Sequence, residues 1–330
     1  MTEAPATHSI GVVAIGRNEG ERLRACLESV IRRADRVIYV DSGSTDDSVS
    51  MARSLGVEVV ALDLARPFTA ARARNAGFAR LRECLPDVHY VQFVDGDCEV
   101  RPSWLEQAAA FLDSRPQYAV VCGRRRERYP EHSPYNRLCD MEWDTPVGEA
   151  RYCGGDAMMR ADALQAVGGY RESLIAGEEP ELCVRLRAVG WKIWRLDAEM
   201  TLHDAALSRF GQWWQRTKRG GYAAAEAEHL HGAPPERHGV RQAWSARLWG
   251  IGLPLLAIAP LPWAGPASLA ILLAYPLQTV RLALRGHRSA RDNWLQAGFL
   301  VLGKFPEAAG QLKFLYNRLS GKTAHLIEYK

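Results

Sequence analysis

Between Ile10 and Cys122, short β-branched or aromatic runs alternate with longer segments of helical spacing, which leaves the chain few architectures. The runs Ile10 to Ile15, Arg36 to Val40, Val57 to Ala61, His89 to Val94 and Tyr118 to Cys122 are bounded by turn residues and predict strands. Glu21 to Arg32, Asp46 to Leu55, Thr69 to Cys84 and Pro102 to Leu112 carry apolar residues at helical intervals and predict helices. This order predicts an α/β fold: a mostly parallel sheet with helices on both faces and a ligand site beyond the carboxyl ends of its strands.

Three polar clusters fall at those ends: Gly16-Arg17-Asn18-Glu19, Asp41-Ser42-Gly43-Ser44-Thr45-Asp46 and Asp95-Gly96-Asp97. In the last, a glycine between two carboxylates lets the backbone turn sharply and aims both acids at one point. Alone, such a triplet also suits a solvated turn. At the end of a buried strand it suits Mg2+ or Mn2+, which complete their shells with water and phosphate oxygens, so a diphosphate is the natural third party.

The remaining chain adds an appendage. Leu248 to Val280 is a run of 33 residues with no charged side chain, broken by Pro260, Pro262 and Pro266. Two segments, Leu248 to Ala264 and Pro266 to Leu282, predict a hairpin that crosses a bilayer or dips into one leaflet, the alternative being a helical pair buried in a soluble domain. Arg237, Arg241 and Arg247 precede it and Arg281, Arg285, Arg288 and Arg291 follow, which places both ends in the cytoplasm. The expected division is a domain over 1–235 and a helical membrane-associating region over 236–330. The net charge is only +4, but arginines cluster at 124–128 and 209–219 and predict an anionic partner; nothing calls for nucleic acid. Seven cysteines without a CxxC pair read as reduced thiols of a cytosolic protein, and Met1 to Ser9 has no leader character. From Gly123 to about Arg151 the alternation gives way to an arginine-rich, aromatic stretch that predicts an acceptor-side loop.

Ala14-Ile15-Gly16-Arg17-Asn18-Glu19, Val40 to Asp46, Ala73-Arg74-Asn75-Ala76-Gly77, Asp95-Gly96-Asp97, Gly154-Gly155-Asp156 and Gly177-Glu178-Glu179-Pro180-Glu181-Leu182, with Arg185 one turn on, follow one another in a known order. From about Ser9 to Gly220 the chain resembles the family 2 glycosyltransferases, inverting enzymes on the GT-A fold. The resemblance implies a nucleotide-sugar half over 1–123 and an acceptor half over 124–235. It implies a nucleotide diphosphate sugar as donor, a UDP-sugar foremost, with Asn18, Glu19, Asp41, Arg74 and Asp95 on the donor side. Gly155 and Asp156 would lie on the acceptor side, and Asp95, Asp97 and His203 would hold the metal. A base from an acidic pair would take the acceptor proton. Here Glu179 stands where the commoner sequence has aspartate, Glu178 is the alternative, and Glu181 is expected on the helix surface. Phe210 to Arg216 loosely matches an element of membrane-bound relatives with different spacing, and no role is carried over; its tryptophans and basic neighbours suit an interfacial helix or a helix packed on the domain.

The expected activity is transfer of a sugar to a hydroxyl of a lipid-linked, glycan or membrane-lipid acceptor at the cytoplasmic face of the membrane. A polyprenyl-phosphate acceptor, which needs no strong base, is the alternative within this chemistry. A non-catalytic membrane scaffold that keeps the fold is the alternative outside it.

Overall fold

β1 (Ile10–Gly16), α1 (Glu21–Val30), β2 (Arg36–Asp41), α2 (Ser48–Ser54), β3 (Glu58–Ala61), α3 (Ala70–Cys84) and β4 (Tyr90–Asp95) alternate as the sequence predicts, in a computed structural model that describes residues 8–322 and Ile327. Residues 1–7, on which most of the reading of the N-terminus rested, lie outside the described residues. The four strands pair in parallel. Val12 to Ala14, Ile38 to Val40 and Val91 to Val94 are buried throughout, except that Gln92 stands among them with its side-chain carbonyl accepting from the Trp104 indole at 2.7 Å. Strands covered on both faces read as continuous apolar runs, which is why they were legible.

Next come β5 (Cys98–Val100), α4 (Trp104–Ser114), β6 (Tyr118–Glu127), α5 (Pro134–Glu142), β7 (Gly148–Ala150), β8 (Ala157–Arg160), α6 (Ala161–Ala166), α7 (Glu178–Ala188) and β9 (Lys192–His203). The sheet order is β3, β2, β1, β4, β8, β6, β9, β5, with β7 also on β9. It is parallel from β3 to β4 and mixed beyond, because β8 enters antiparallel between β4 and β6. The stretch expected as a loop from Gly123 holds the end of β6, then α5 and β7. Its arginines do not form a patch for an anionic partner. Arg124 pairs with Asp140 at 3.2 Å, Arg126 with Glu199 at 2.6 Å and Arg128 with Glu99 at 2.5 Å, so the chain's own carboxylates take up their charge. All seven cysteines are free thiols.

The chain divides into two compact units, residues 1–130 with 139–206, and residues 131–138 with 207–330. The division falls after Ala206 and not near 235, because α8 (Phe210–His231) is built into the second unit. There it crosses α14 (Lys304–Leu319) at glycines: a Cβ on Gly221 would lie 2.1 Å from the Glu307 carbonyl oxygen, and one on Gly310 2.0 Å from that of Lys218. Trp213 is buried with its ring 4.8 Å from Phe299, making it a core residue of this unit.

Between α8 and α14 lie α9 (Val240–Arg247), a π-helical turn Leu248–Gly252, α10 (Leu253–Ile258), α11 (Leu261–Ala264), a 3-10 segment Gly265–Leu273, α12 (Ala274–Arg285) and α13 (Ala290–Leu302). The expected hairpin of two even segments is therefore a series of short pieces, as its prolines require. One stretch, Leu261–Arg285, is long and apolar enough to cross a membrane by length and composition.

Candidate active site

The turn after β4 sets the geometry. The Gly96 N–H donates to the Ile15 carbonyl at 2.8 Å, holding the turn on β1, and Asp97 leads directly into β5. β5 pairs antiparallel with the end of β9, Cys98 opposite His203. That register brings Asp97 Oδ1 to 3.3 Å from His203 Nε2. The ligand atoms of Asp97, Cys98 and His203, all buried, lie within 4.8 Å of one another. Burial pulls the imidazole pKa down, but Asp97 and then Glu127, 3.7 Å from Nδ1, outweigh it and raise the pKa above its ordinary value. A carboxylate oxygen and an imidazole nitrogen fit Mn2+ or Mg2+; the soft Cys98 thiol is not a donor that either ion selects. Asp97 and His203 were both expected here, and the fold brings them together.

Asp95 stands differently. Its Oδ1 accepts from Arg74 Nη2 at 2.8 Å and its Oδ2 from Arg125 Nη2 at 3.3 Å. Burial opposes its ionisation, yet the two guanidiniums prevail and hold the carboxyl below its ordinary value. Asp95 was expected as a donor and metal residue; in the structure both its oxygens anchor arginines. Arg125, read in the sequence only as part of the 124–128 cluster, was not expected in the site. It also pairs with Asp156 at 2.8 Å and lies over the Trp143 ring at 5.4 Å. Asp156, expected on the acceptor side, is fully buried. Its Oδ1 accepts the Asp95 N–H at 3.1 Å and its Oδ2 the Thr201 hydroxyl at 2.7 Å, so it positions the β4 end and β9.

Arg74 joins this group to the acids of α7. Its Nη1 lies 2.8 Å from Glu178 and 2.9 Å from Glu179. Expected as a nucleotide contact, it is only 2% exposed and its guanidinium pairs with three carboxylates. Asn75, next to it on α3, clamps the following turn: Nδ2 donates to the Tyr170 carbonyl and Oδ1 accepts the Tyr170 N–H, both at 2.8 Å. The Tyr170 ring then lies 5.6 Å from the Arg74 guanidinium.

Glu179 is the unusual acid. Burial, with Glu178 beside it, pushes its carboxyl up to about 7 against the pull of Arg74. That is the range of a general base at neutral pH. Glu181, expected on the helix surface, is instead buried: Arg185 Nη2 donates to it at 2.8 Å and Arg171 Nε at 3.1 Å. Gly155 leaves room for the group, since a Cβ there would lie 2.7 Å from Arg74 Nη2 and 2.9 Å from Asp95 Oδ2.

The other expected donor residues organise loops. Asn18, in the left-handed region at φ 57°, accepts the Thr45 N–H at 2.7 Å and joins the loops after β1 and β2. Asp41 is buried; Oδ2 accepts the N–H groups of Gly43 and Ser44 at 3.0 Å, and Oδ1 accepts the Tyr39 hydroxyl at 3.1 Å. Glu19 pairs with Arg22 at 2.8 Å, and its Cγ would lie 3.4 Å from a Cβ on Gly96.

Residues 11–167 match the family model described as glycosyl transferase family 2. A pre-mycofactocin glycosyltransferase from Mycobacterium tuberculosis is 28% identical over 279 residues, 77% of this chain and 55% of that protein, so the chain spans about half the relative's length. The succinoglycan biosynthesis protein ExoA from Rhizobium meliloti is 28% identical over 286 residues, covering 82% of this chain and 80% of its own. In fold, the chain is similar to the mannosyltransferase PcManGT from Pyrobaculum calidifontis, solved with GDP-Man and Mn2+, with a TM-score of 0.59 and 17% identity over 94% of this chain and 89% of that one. Residues 11–167, just under half of the chain, are thus similar to glycosyl transferase family 2, and the sheet and helices have the GT-A fold.

Proposed function

We propose that the chain transfers a sugar, with inversion, from a nucleotide diphosphate sugar to a hydroxyl of a lipid-linked or glycan acceptor at the cytoplasmic membrane surface. One observation carries this reading: a base near neutrality, Glu179, stands one arginine away from the β4 end that bears Asp95 and leads to Asp97. Asp97 and His203 would hold Mg2+ or Mn2+, whose charge offsets that building on the departing nucleoside diphosphate. Glu179 takes the acceptor proton, while Arg74 and Gly155 fix its position. Asn18, Glu19 and the turn closed by Asp41 shape the edge where base and ribose sit.

The tuned base favours a hydroxyl over a polyprenyl phosphate, which reaches a neutral site already ionised. A relative named for succinoglycan biosynthesis and a neighbour bound to GDP-Man and Mn2+ support the donor, metal and acceptor classes. The test is a thermal-shift panel of UDP- and GDP-sugars with and without Mn2+, followed by nucleoside diphosphate release from the best binder. A ligand of the native state raises apparent stability, so a metal-dependent shift with release is expected. Donor binding with no nucleoside diphosphate released in the presence of any acceptor would favour the scaffold, and turnover that ignores Asp97→Asn would remove the metal assignment.

A further inference from the structure

The second unit carries the chain's net positive charge. Residues 131–138 and 207–330 hold seventeen Lys and Arg against seven Asp and Glu, while the rest of the chain is net acidic. The uncharged stretch lies within this basic unit, and its two ends are tied to the bundle. On the incoming side a Cβ on Gly250 would lie 2.3 Å from the Lys304 carbonyl oxygen and 2.6 Å from Ala308, so the chain is held against α14 up to that point. On the returning side the Tyr275 hydroxyl donates to the Trp249 carbonyl at 2.5 Å, and its ring lies 5.5 Å from Phe305. Both ends of the stretch are therefore fixed to the bundle, and only the residues between them are left to project from it.

Two arms lie between the tethers. The first, Gly250 to Ala259, is helical and spans about 15 Å at 1.5 Å per residue. The second, through the 3-10 segment, spans about 20 Å at 2.0 Å per residue. The Ser268 hydroxyl crosses to the Ala257 carbonyl at 2.8 Å and holds the arms together. Leu255, Leu256, Ile258 and Leu273 are more than half exposed, and Trp263 at the tip is 84% exposed. A bilayer's hydrocarbon core is about 30 Å thick, so neither arm crosses it. The longer apolar stretch Leu261–Arg285 meets the length for a span only by running through Tyr275, which is bound to the bundle.

We propose that Leu253 to Ala274 is a re-entrant wedge that enters one leaflet of an anionic phospholipid bilayer and returns, while the exposed Arg241, Arg281, Arg285 and Arg291 meet headgroup phosphates. The wedge rests on the membrane-surface part of the function proposed above. Charge complementarity selects the anionic bilayer as occupant: each basic side chain near such a surface adds about 1 kcal/mol, screened by salt.

The experiment uses the full chain carrying Trp263→Cys and Cys84→Ser, labelled at position 263 with an environment-sensitive dye, and phosphatidylcholine vesicles with or without phosphatidylglycerol. Flotation with the phosphatidylglycerol vesicles, falling as salt rises, is expected. Arg281→Ser with Arg285→Ser should weaken it about thirtyfold. The dye should be quenched by lipids with a quencher deep in the acyl chain and not by an impermeant quencher sealed in the lumen. A parallel label at Leu256→Cys guards against an effect of the tip substitution. Quenching from the lumen would show a span and overturn the wedge while leaving membrane binding in place. Failure to float with either vesicle, with donor binding intact, would overturn the membrane surface itself and leave the glycosyltransferase reading standing. A lipid-free dimer that shields position 263 would make a second copy the occupant and also overturn the proposal.

Discussion

Replacing Glu179 with glutamine should make the protein more stable and inactive, and the stability gain should depend on pH. Moving a carboxyl from 4.5 to about 7 in the folded state sets about 3 kcal/mol against its ionised form. Between those values the folded chain holds more protons at this site than the unfolded chain, so stability falls as pH rises through the window and stays low above it. Glutamine removes that cost. The expected gain is about 3 kcal/mol at pH 8 and under about 1 kcal/mol at pH 5, where the native carboxyl is already protonated. Arg74 keeps Glu178 and Asp95 as partners, so no buried cation is stranded by the change. Effects of the amide on packing are independent of pH and cancel in the difference. Urea denaturation at both pH values, beside an assay of nucleoside diphosphate release, tests the idea. An equal stability change at pH 5 and pH 8, or a loss at pH 8, would refute the burial argument. Full turnover in the variant would move the base to Glu178.

Other changes separate the parts of the site. Arg74→Met leaves three buried or half-buried carboxylates without their shared cation; a loss of about 3 to 5 kcal/mol is expected, with any residual activity shifted to higher pH in a rate profile. Asp97→Asn should abolish the response of turnover to added Mn2+ while costing less stability than Asp95→Asn, which takes one carboxylate charge from each of two buried guanidiniums; comparing Mn2+ titrations with melting temperatures checks both. Gly155→Ala should lower kcat about 10- to 100-fold with the fold intact, because its methyl displaces the ends of Arg74 and Asp95, as steady-state kinetics with circular dichroism would show. Gly221→Ala should destabilise the second unit by about 1 to 3 kcal/mol or more and leave donor affinity unchanged, as limited proteolysis and calorimetry would reveal.

The strands up to β4 and the acids at their ends were legible because parallel strands are apolar on both faces and change abruptly to polar residues where they stop. Arg125 was not. It lies in a run of arginines on a strand whose pairing with β9 shifts register around Arg124, so the alternation that would separate an inward arginine from its neighbours is broken. Asp156 and Glu181 look like surface acids in sequence; their burial depends on Thr201, Arg125, Arg171 and Arg185, all distant or one turn away. The apolar stretch showed its composition but not its tethers, since Tyr275 and Phe305 meet only in the folded unit.

The pairing of Cys98 with His203 also bears on how the protein comes into being. Asp97 emerges from the ribosome long before His203, and Glu179 lies between them in the chain. The sheet's parallel half can form early, as N-terminal segments do during synthesis, yet Asp97 and His203 come together only when the last strand docks beside β5. A nascent chain stopped before residue 203 has the strand ends that frame the donor edge but cannot assemble the metal pair. On the function proposed above, competence would wait until the whole first unit has folded.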